Sequence, residues 1–247
     1  MNAPKEGTSK FLKKQDAMDS RTSWDAFSKD YEDKVFSVTS SRARRMMFLK
    51  YLRPGLVLNL GTGSLPHMNQ ELITANFMVI ASDISSQMIN ESSTFFSHKN
   101  LSFILADNVA LPFKHGRFDS VLSINSILPE TRSQVDQMLS EVHRILKKTG
   151  TFVGFFPSWE TSLKARDRLG LKEILDEENI RIYETTGWQS YQTKETLSNH
   201  LKRARFSEFR IIRVFLKSKA EIASLRRIYG VDTRGCIMFE HLGIAVK

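Results

Sequence analysis

Cysteine is almost missing from this sequence: Cys236 is the single one among 247 residues. One thiol excludes an intramolecular disulfide and a cysteine-built zinc cluster. The simplest expectation is a reducing, cytoplasmic setting with no metal site. Long apolar runs are also absent, and none approaches the ~20 residues that a membrane helix needs. The opening MNAPKEGTSKFLKKQDAMDS holds lysines but no apolar stretch of the secretory type. It reads as a flexible tail over residues 1–20. There is no internal repeat and no low-complexity tract.

What is present is core-forming: 41% of the residues are hydrophobic, enough for one sizeable domain. Basic charge is in excess at +9, but unevenly. Residues 1–53 carry +5 and residues 54–141 carry −4, while 142–156 and 157–247 carry +3 and +5. An acidic centre between basic flanks fits either solvated helix faces or an anionic partner approaching the flanks.

Periodicity divides the chain further. Residues 21–52 read as helical, with Ala43, Met46, Met47 and Tyr51 on one face, until Arg53-Pro54-Gly55 stops the pattern. Strands are expected at Leu56–Leu60, Phe77–Ala81, Leu101–Leu105, Phe118–Ile124 and Thr151–Phe156. Helices are expected at Met68–Ala75, Gln87–Ser97 and along the stripe from Val135 to Leu146. Lys147 and Lys148 would close that last helix, with Gly150 just beyond it. This alternation implies a parallel sheet covered by helices on both faces. Residues 158–191 break the rhythm and read as an insertion. A helix at 194–204 and two late strands, within 206–217 and 236–247, follow.

The chemistry concentrates after the first strand. VLNLGTGSLP (57–66) is a buried-strand run followed by a tight glycine turn. Such a unit holds a dinucleotide, S-adenosylmethionine, or nothing. A dinucleotide site wants a third glycine so that the helix N-terminus meets the pyrophosphate. Pro66 stands there and removes an N–H donor. Asp83, 22 residues after Gly61 at the end of the second strand, is placed to accept ribose hydroxyl hydrogens. Ser85 is the expected N-cap of the next helix. A further acid, Asp107, follows the third strand.

WDAFSKDYE (24–32), VLNLGTGS (57–64), SDIS (82–85), ADNVALPFKHGRFDSVLS (106–123) and EVHRILKKTGTFV (141–153) occur in this order. In these pieces the chain resembles class I S-adenosylmethionine-dependent methyltransferases, most closely the ubiquinone and menaquinone biosynthesis branch. The resemblance implies an α/β Rossmann-like fold: a mostly parallel seven-stranded sheet with helices on both faces and a small lid. It implies one domain over 21–247, with a helical lid at 21–52 and the 158–191 insertion as substrate cap. Gly61 and Gly63 would pass beneath the methionine part of the cofactor, with Asn59 facing its ammonium. Asp83 would hold the ribose. Asp107 would receive the adenine amine beside Asn108, and Ile84 and Val109 would sandwich the ring. Met88 and Asn125 complete the cofactor set, and Tyr31 would close over it. Trp159, Tyr183 and Trp188, with Tyr31 and Asn125, would line the acceptor site, unless the cap aromatics only pin the insertion. The family usually has an acid at the position of Asn59 and often a glycine at that of Leu65.

No residue stands out as a general base. His143 and His200 read as structural and His98 and His115 as solvated. His67 lies near the turn, and Glu130 reads equally as a helix N-terminal acid. The leading expectation is methyl transfer to a small-molecule acceptor at O, N, C or S, without nucleic acid or membrane. The alternatives are an RNA-directed enzyme using Lys202, Arg203, Arg205, Arg210 and Arg213, and a non-catalytic cofactor-binding protein.

Overall fold

The computed structural model describes residues 19–31, 41–169, 174–215 and 238–247. The expected tail up to residue 18, and Cys236, lie outside them. Of the expected helical stretch 21–52, residues 32–40 lie outside the described ones. Helix α1 (Ser20–Phe27) is capped by the Asp19 carboxylate and runs into a 3-10 turn at Ser28–Asp30. Helix α2 spans Arg42–Leu49. Its buried face is also offset from the expected one. Arg44 and Phe48 are buried, whereas Met46 is exposed. Arg44 occupies the core side because its guanidinium donates to the Phe215 carbonyl at 3.1 Å and lies over the Phe155 ring. A cation so partnered is tolerated inside.

Strands β1 (Leu56–Leu60), β2 (Met78–Asp83), β3 (Leu101–Leu105), β4 (Phe118–Ile124) and β5 (Leu146–Pro157) alternate with helices α3 (His67–Thr74), α4 (Ser86–Phe95) and α5 (Arg132–Ile145). Helix α6 (Trp159–Leu169) and the short strands β6 (Leu175–Asp176), β7 (Arg181–Glu184) and β8 (Gly187–Ser190) follow. Helix α7 (Lys194–Arg203), β9 (Glu208–Phe215) and β10 (Phe239–Val246) complete the described chain. The main sheet has the order β3-β2-β1-β4-β5-β10-β9. Strands β1 to β5 pair in parallel, and β10 runs antiparallel to both neighbours. Among the described residues no helix is long and apolar enough to cross a membrane.

The central strands β1, β4 and β5 are buried on both faces over most of their length, whereas the edge strands β3 and β9 are partly exposed. One core joins Leu58, Phe118, Val135, Leu139, Phe152 and Phe156 beneath α5 and α7. The other joins Phe48, Val57, Leu72, Leu122, Val153 and Phe155 beneath α2 and α3. Strand order reverses between β1 and β4. The crevice this leaves at their carboxyl ends is where open α/β sheets place ligands.

Helix α5 ends at Ile145, earlier than its stripe suggests. Lys147 is therefore in β5, where it pairs with Asp119 at 2.8 Å instead of facing a helix dipole. Thr149, not Gly150, takes the left-handed conformation, at φ 67°. The LPF piece is explained by packing. The Leu111 N–H donates to Glu141, and Arg144 donates to the carbonyls of Leu111 and Phe113 while gripping Glu141. The Phe113 and Phe118 rings meet edge-on at 4.8 Å.

This clamp fixes the loop that follows Asp107. The Arg144 side chain holds the Glu141 carboxyl below its ordinary range, against the opposing effect of burial. Its stabilisation is therefore present above the usual glutamate range and is lost as pH falls through the lowered one. Glu141→Ala should cost ~1.5–3 kcal/mol at neutral pH, as for hydrogen bonds to a charged group. In chemical denaturation the difference from the parent should shrink on acidification.

Candidate functional site

The site grows from the end of β1. After Leu60 the chain turns through Gly61 and Gly63, at φ 65° and 64°. The Thr62 N–H is pinned to the Ser82 carbonyl of β2 at 2.8 Å. A Cβ on Gly61 would come within 2.2 Å of the Ser126 Cβ, so only glycine fits there. Asp83 ends β2 with its carboxylate accepting the Gly63 N–H at 2.9 Å and the Ser85 N–H at 3.0 Å. Burial pushes its pKa up, against those two hydrogen bonds. Ser85 caps α4 by accepting from the Met88 N–H. After β3, the Asp107 carboxylate accepts the Val109 N–H at 3.0 Å, which folds the loop back on itself. After β4, Asn125 adopts a left-handed φ of 50° and donates its N–H to the Phe155 carbonyl. A non-glycine residue held there is a backbone strain of the type that gathers at ligand sites.

These turns enclose one cavity of about 300 Å³. Tyr31, Gly61, Gly63, Asp83, Ile84, Met88, Asp107, Asn108, Val109 and Asn125 all line it. Sequence reading missed the rest. Ser20 and Trp24 of α1 lie against it, as do Leu128 and Pro129 of the β4–α5 loop and Gln134 and Met138 of α5. Contacts of this kind depend on tertiary placement and leave no local motif. Tyr31, with its hydroxyl close to Gly63, has its pKa pushed up to about 12, by burial first and then by the Asp83 charge.

Asn59 is not in the lining. Its amide nitrogen donates to Thr62 Oγ1 at 3.0 Å and to Asn69 Oδ1 at 2.8 Å, and Asn69 donates to the same Thr62 oxygen at 2.9 Å. Trp159, Tyr183 and Trp188 are not in it either. Trp159 packs with Ile182 and Tyr191, and Tyr183 meets Trp188 across β7 and β8 under the Arg181 guanidinium. The insertion is thus α6 plus a small antiparallel sheet, β6-β7-β8. Its hairpin turns through Thr185-Thr186, without the Asn-Gly or Asp-Gly signal that would have revealed it. It reaches the site indirectly, through the Ser190 N–H donating to the Pro129 carbonyl.

Of the candidate bases, Glu130 is exposed and faces Arg181 at 3.8 Å. His200 is buried against Asp136 at 2.6 Å, and His143 packs edge-on against Phe206. His67 opens α3 outside the lining. Among the described residues no group of three histidines, cysteines or acids is arranged to hold a metal.

Residues 57–150 match the family model described as a methyltransferase domain. Over that stretch the chain is similar to methyltransferase domains. Its fold is shared with a S-adenosylmethionine-dependent methyltransferase from Methanosarcina mazei, 20% identical, with a TM-score of 0.62 over 81% of this chain and 96% of that one. It is shared too with phosphoethanolamine N-methyltransferase 2 of Haemonchus contortus in complex with S-adenosylmethionine. That protein is 13% identical, with a TM-score of 0.67 over 94% of this chain and 60% of that one. Zebrafish (Danio rerio) mitochondrial arginine-hydroxylase NDUFAF5 is 31% identical over 122 residues, 48% of this chain. The match spans about a third, 36%, of that relative's length.

The similarity to methyltransferase domains would imply S-adenosylmethionine as cofactor, and the cavity suits it. Asn108 Oδ1 and Asn125 Oδ1 are buried without a hydrogen-bond partner. The Asn108 amide nitrogen is turned to the Ser126 carbonyl at 3.4 Å, leaving the oxygen free. Orphaned acceptors call for a donor-rich ligand. An adenine amine, two ribose hydroxyls and an ammonium group are such donors.

Proposed function

We propose that this methyltransferase acts on a small-molecule acceptor, in the manner of the ubiquinone and menaquinone branch, with 21–247 as one catalytic domain. The observation that carries the reading is the cavity that brings the glycine turn, Asp83 and Asp107 together beneath α1. Gly61 and Gly63 would pass under the methionine part, Asp83 would accept the ribose hydroxyls, and Asp107 with Asn108 would meet the adenine amine. Ile84, Val109 and Met88 would flank the ring, and Tyr31 would cover it. The cofactor supplies an activated methyl group on a sulfonium.

The chain's own contribution is then orientation and exclusion of water. Among the described residues, the titratable side chains in the lining are Tyr31, Asp83 and Asp107. A phenol with a pKa of about 12 is neutral and a poor base at working pH. Asp83 and Asp107 are taken up by their binding roles. The reading therefore favours an acceptor whose nucleophilic atom already has a free lone pair. With α1 and the Leu128–Pro129 segment narrowing access, a small molecule or a slender side chain fits better than a folded surface.

An arginine side chain is the second reading, because the zebrafish relative is an arginine-hydroxylase. An RNA substrate fits less well. Arg210 and Arg213 are three residues apart on a strand and so point to opposite faces, where they stack on Tyr51 and Phe239 respectively. Arg203 is engaged by Asp136.

The test is a mass-shift screen with S-adenosylmethionine over metabolite pools, arginine peptides and RNA. Gain of one methyl on a metabolite supports the proposal. Methylation confined to peptide or RNA replaces it, and binding of S-adenosylhomocysteine without transfer to any acceptor supports the non-catalytic alternative.

A further inference from the structure

Helix α1 roofs the cavity through Ser20 and Trp24, and its attachment to the domain body is unusual. Asp25 does not line the cavity. Its carboxylate reaches across to the start of α4, accepting the Ser85 hydroxyl at 2.6 Å, the Gln87 N–H at 3.2 Å and, more weakly, the Ser86 hydroxyl at 3.5 Å. An anion at a helix N-terminus also meets the positive end of its dipole. The same Ser85 donates its backbone N–H to Asp83, and Asp83 in turn accepts from Gly63. Gly63 lies against the Tyr31 hydroxyl. Roof, helix cap, acid and glycine turn thus form one continuous set of contacts. The apolar part of the roof, Trp24 on Phe27 and Phe27 on Tyr31, runs parallel to it.

We infer that Asp25 is a positioning residue: through Ser85 it latches α1 over the cofactor cavity and braces Asp83 in place. The cofactor part of this inference rests on the function proposed above; the latch itself does not. The bond to the Ser85 hydroxyl chiefly holds the Asp25 carboxyl below its ordinary range, so the latch stays charged throughout neutral and mildly acidic conditions. A side chain that only stabilised α1 would lower the melting temperature without regard to ligand. A latch would control how fast the ligand leaves.

The experiment compares the parent with Asp25→Ala and Asp25→Asn. Hydrogen exchange on the free protein follows Ser20–Phe27. Stopped-flow displacement follows release of S-adenosylhomocysteine, and thermal unfolding of the free protein serves as the control. In Asp25→Ala, exchange of α1 and ligand release should each rise about tenfold, as expected for losing hydrogen bonds to a charged group. The unfolding temperature should hardly move. Asp25→Asn keeps an oxygen that accepts the Ser85 hydroxyl but lacks the charge, and should recover part of both effects. Unchanged α1 exchange in Asp25→Ala overturns the latch. So does unchanged ligand release despite faster exchange, or a fall in melting temperature large enough to account for both changes. A parent protein that binds no S-adenosylhomocysteine would remove the proposed function, while exchange on the free protein would still decide the latch.

Discussion

Asp83→Ala should weaken S-adenosylhomocysteine binding at least tenfold in calorimetry, with no comparable NAD binding in either protein. The side chain is buried and already accepts two backbone N–H groups. Its remaining lone pairs face a cavity whose other walls are Ile84, Met88 and the glycine turn. A ribose held there would lose charge-assisted bonds worth ~1.5–3 kcal/mol. The pH dependence has a definite sign. Burial raises the Asp83 pKa, so its neutral form appears at a higher pH than for an exposed aspartate. Affinity in the parent should therefore begin to fall above the usual carboxylate range as the solution is acidified. In Asp83→Ala that component should vanish. An indifferent variant, or tight NAD binding, would sink the assignment.

Gly61→Ala should cost both stability and ligand affinity. Left-handed backbone costs an alanine ~1–2 kcal/mol. The new Cβ would meet the Ser126 Cβ at 2.2 Å. Relief requires a backbone shift, and overpacking of this type adds ~1–3 kcal/mol. Ser126 has little room to yield, because its hydroxyl is bonded to the Leu60 carbonyl and to Ser123 at 2.6 and 2.7 Å. Ligand affinity should drop ~100-fold, since a displacement of about an ångström at a site is costly. Adding Ser126→Gly removes the collision but not the strain, and should restore part of both losses. A Gly61→Ala protein with parental stability and affinity would show that the turn is not held as described.

Much of this was legible in the sequence, for reasons that are local. Strand, glycine turn and acid follow one another within a short stretch, and the sheet hydrogen bonds force Gly61, Asp83, Asp107 and Asn125 to the same edge. The five parallel strands could be read because each holds a short, mostly apolar run bounded by polar or glycine-containing segments. Reading failed where tertiary contacts decide. Arg44 lies off the expected apolar face of Ala43, Met46, Met47 and Tyr51, but Phe155 and the Phe215 carbonyl give it a place inside. The cap sheet has strands of only two to four residues, too short for a period to appear. Trp159, Tyr183 and Trp188 carried the right chemistry for a pocket wall, yet they pack on one another and on Ile182, away from the cavity. Asp25 gave no signal at all, because its partners lie some sixty residues further along.

The amide triangle under the glycine turn has its own logic. Thr62 Oγ1 receives hydrogens from both Asn59 and Asn69, which fills its two lone pairs and leaves only its proton to give. Asn69 meanwhile offers its oxygen to Asn59. An aspartate at position 59, as the wider family usually has, would set a carboxylate oxygen against that amide oxygen. Thr62 would have to reverse its role and Asn69 would have to turn over. The departure at Asn59 is thus half of a matched pair, and its energetic meaning lies in the coupling. Changing position 59 or 69 alone strands buried polar atoms, whereas changing both together need not, so their effects should be strongly non-additive.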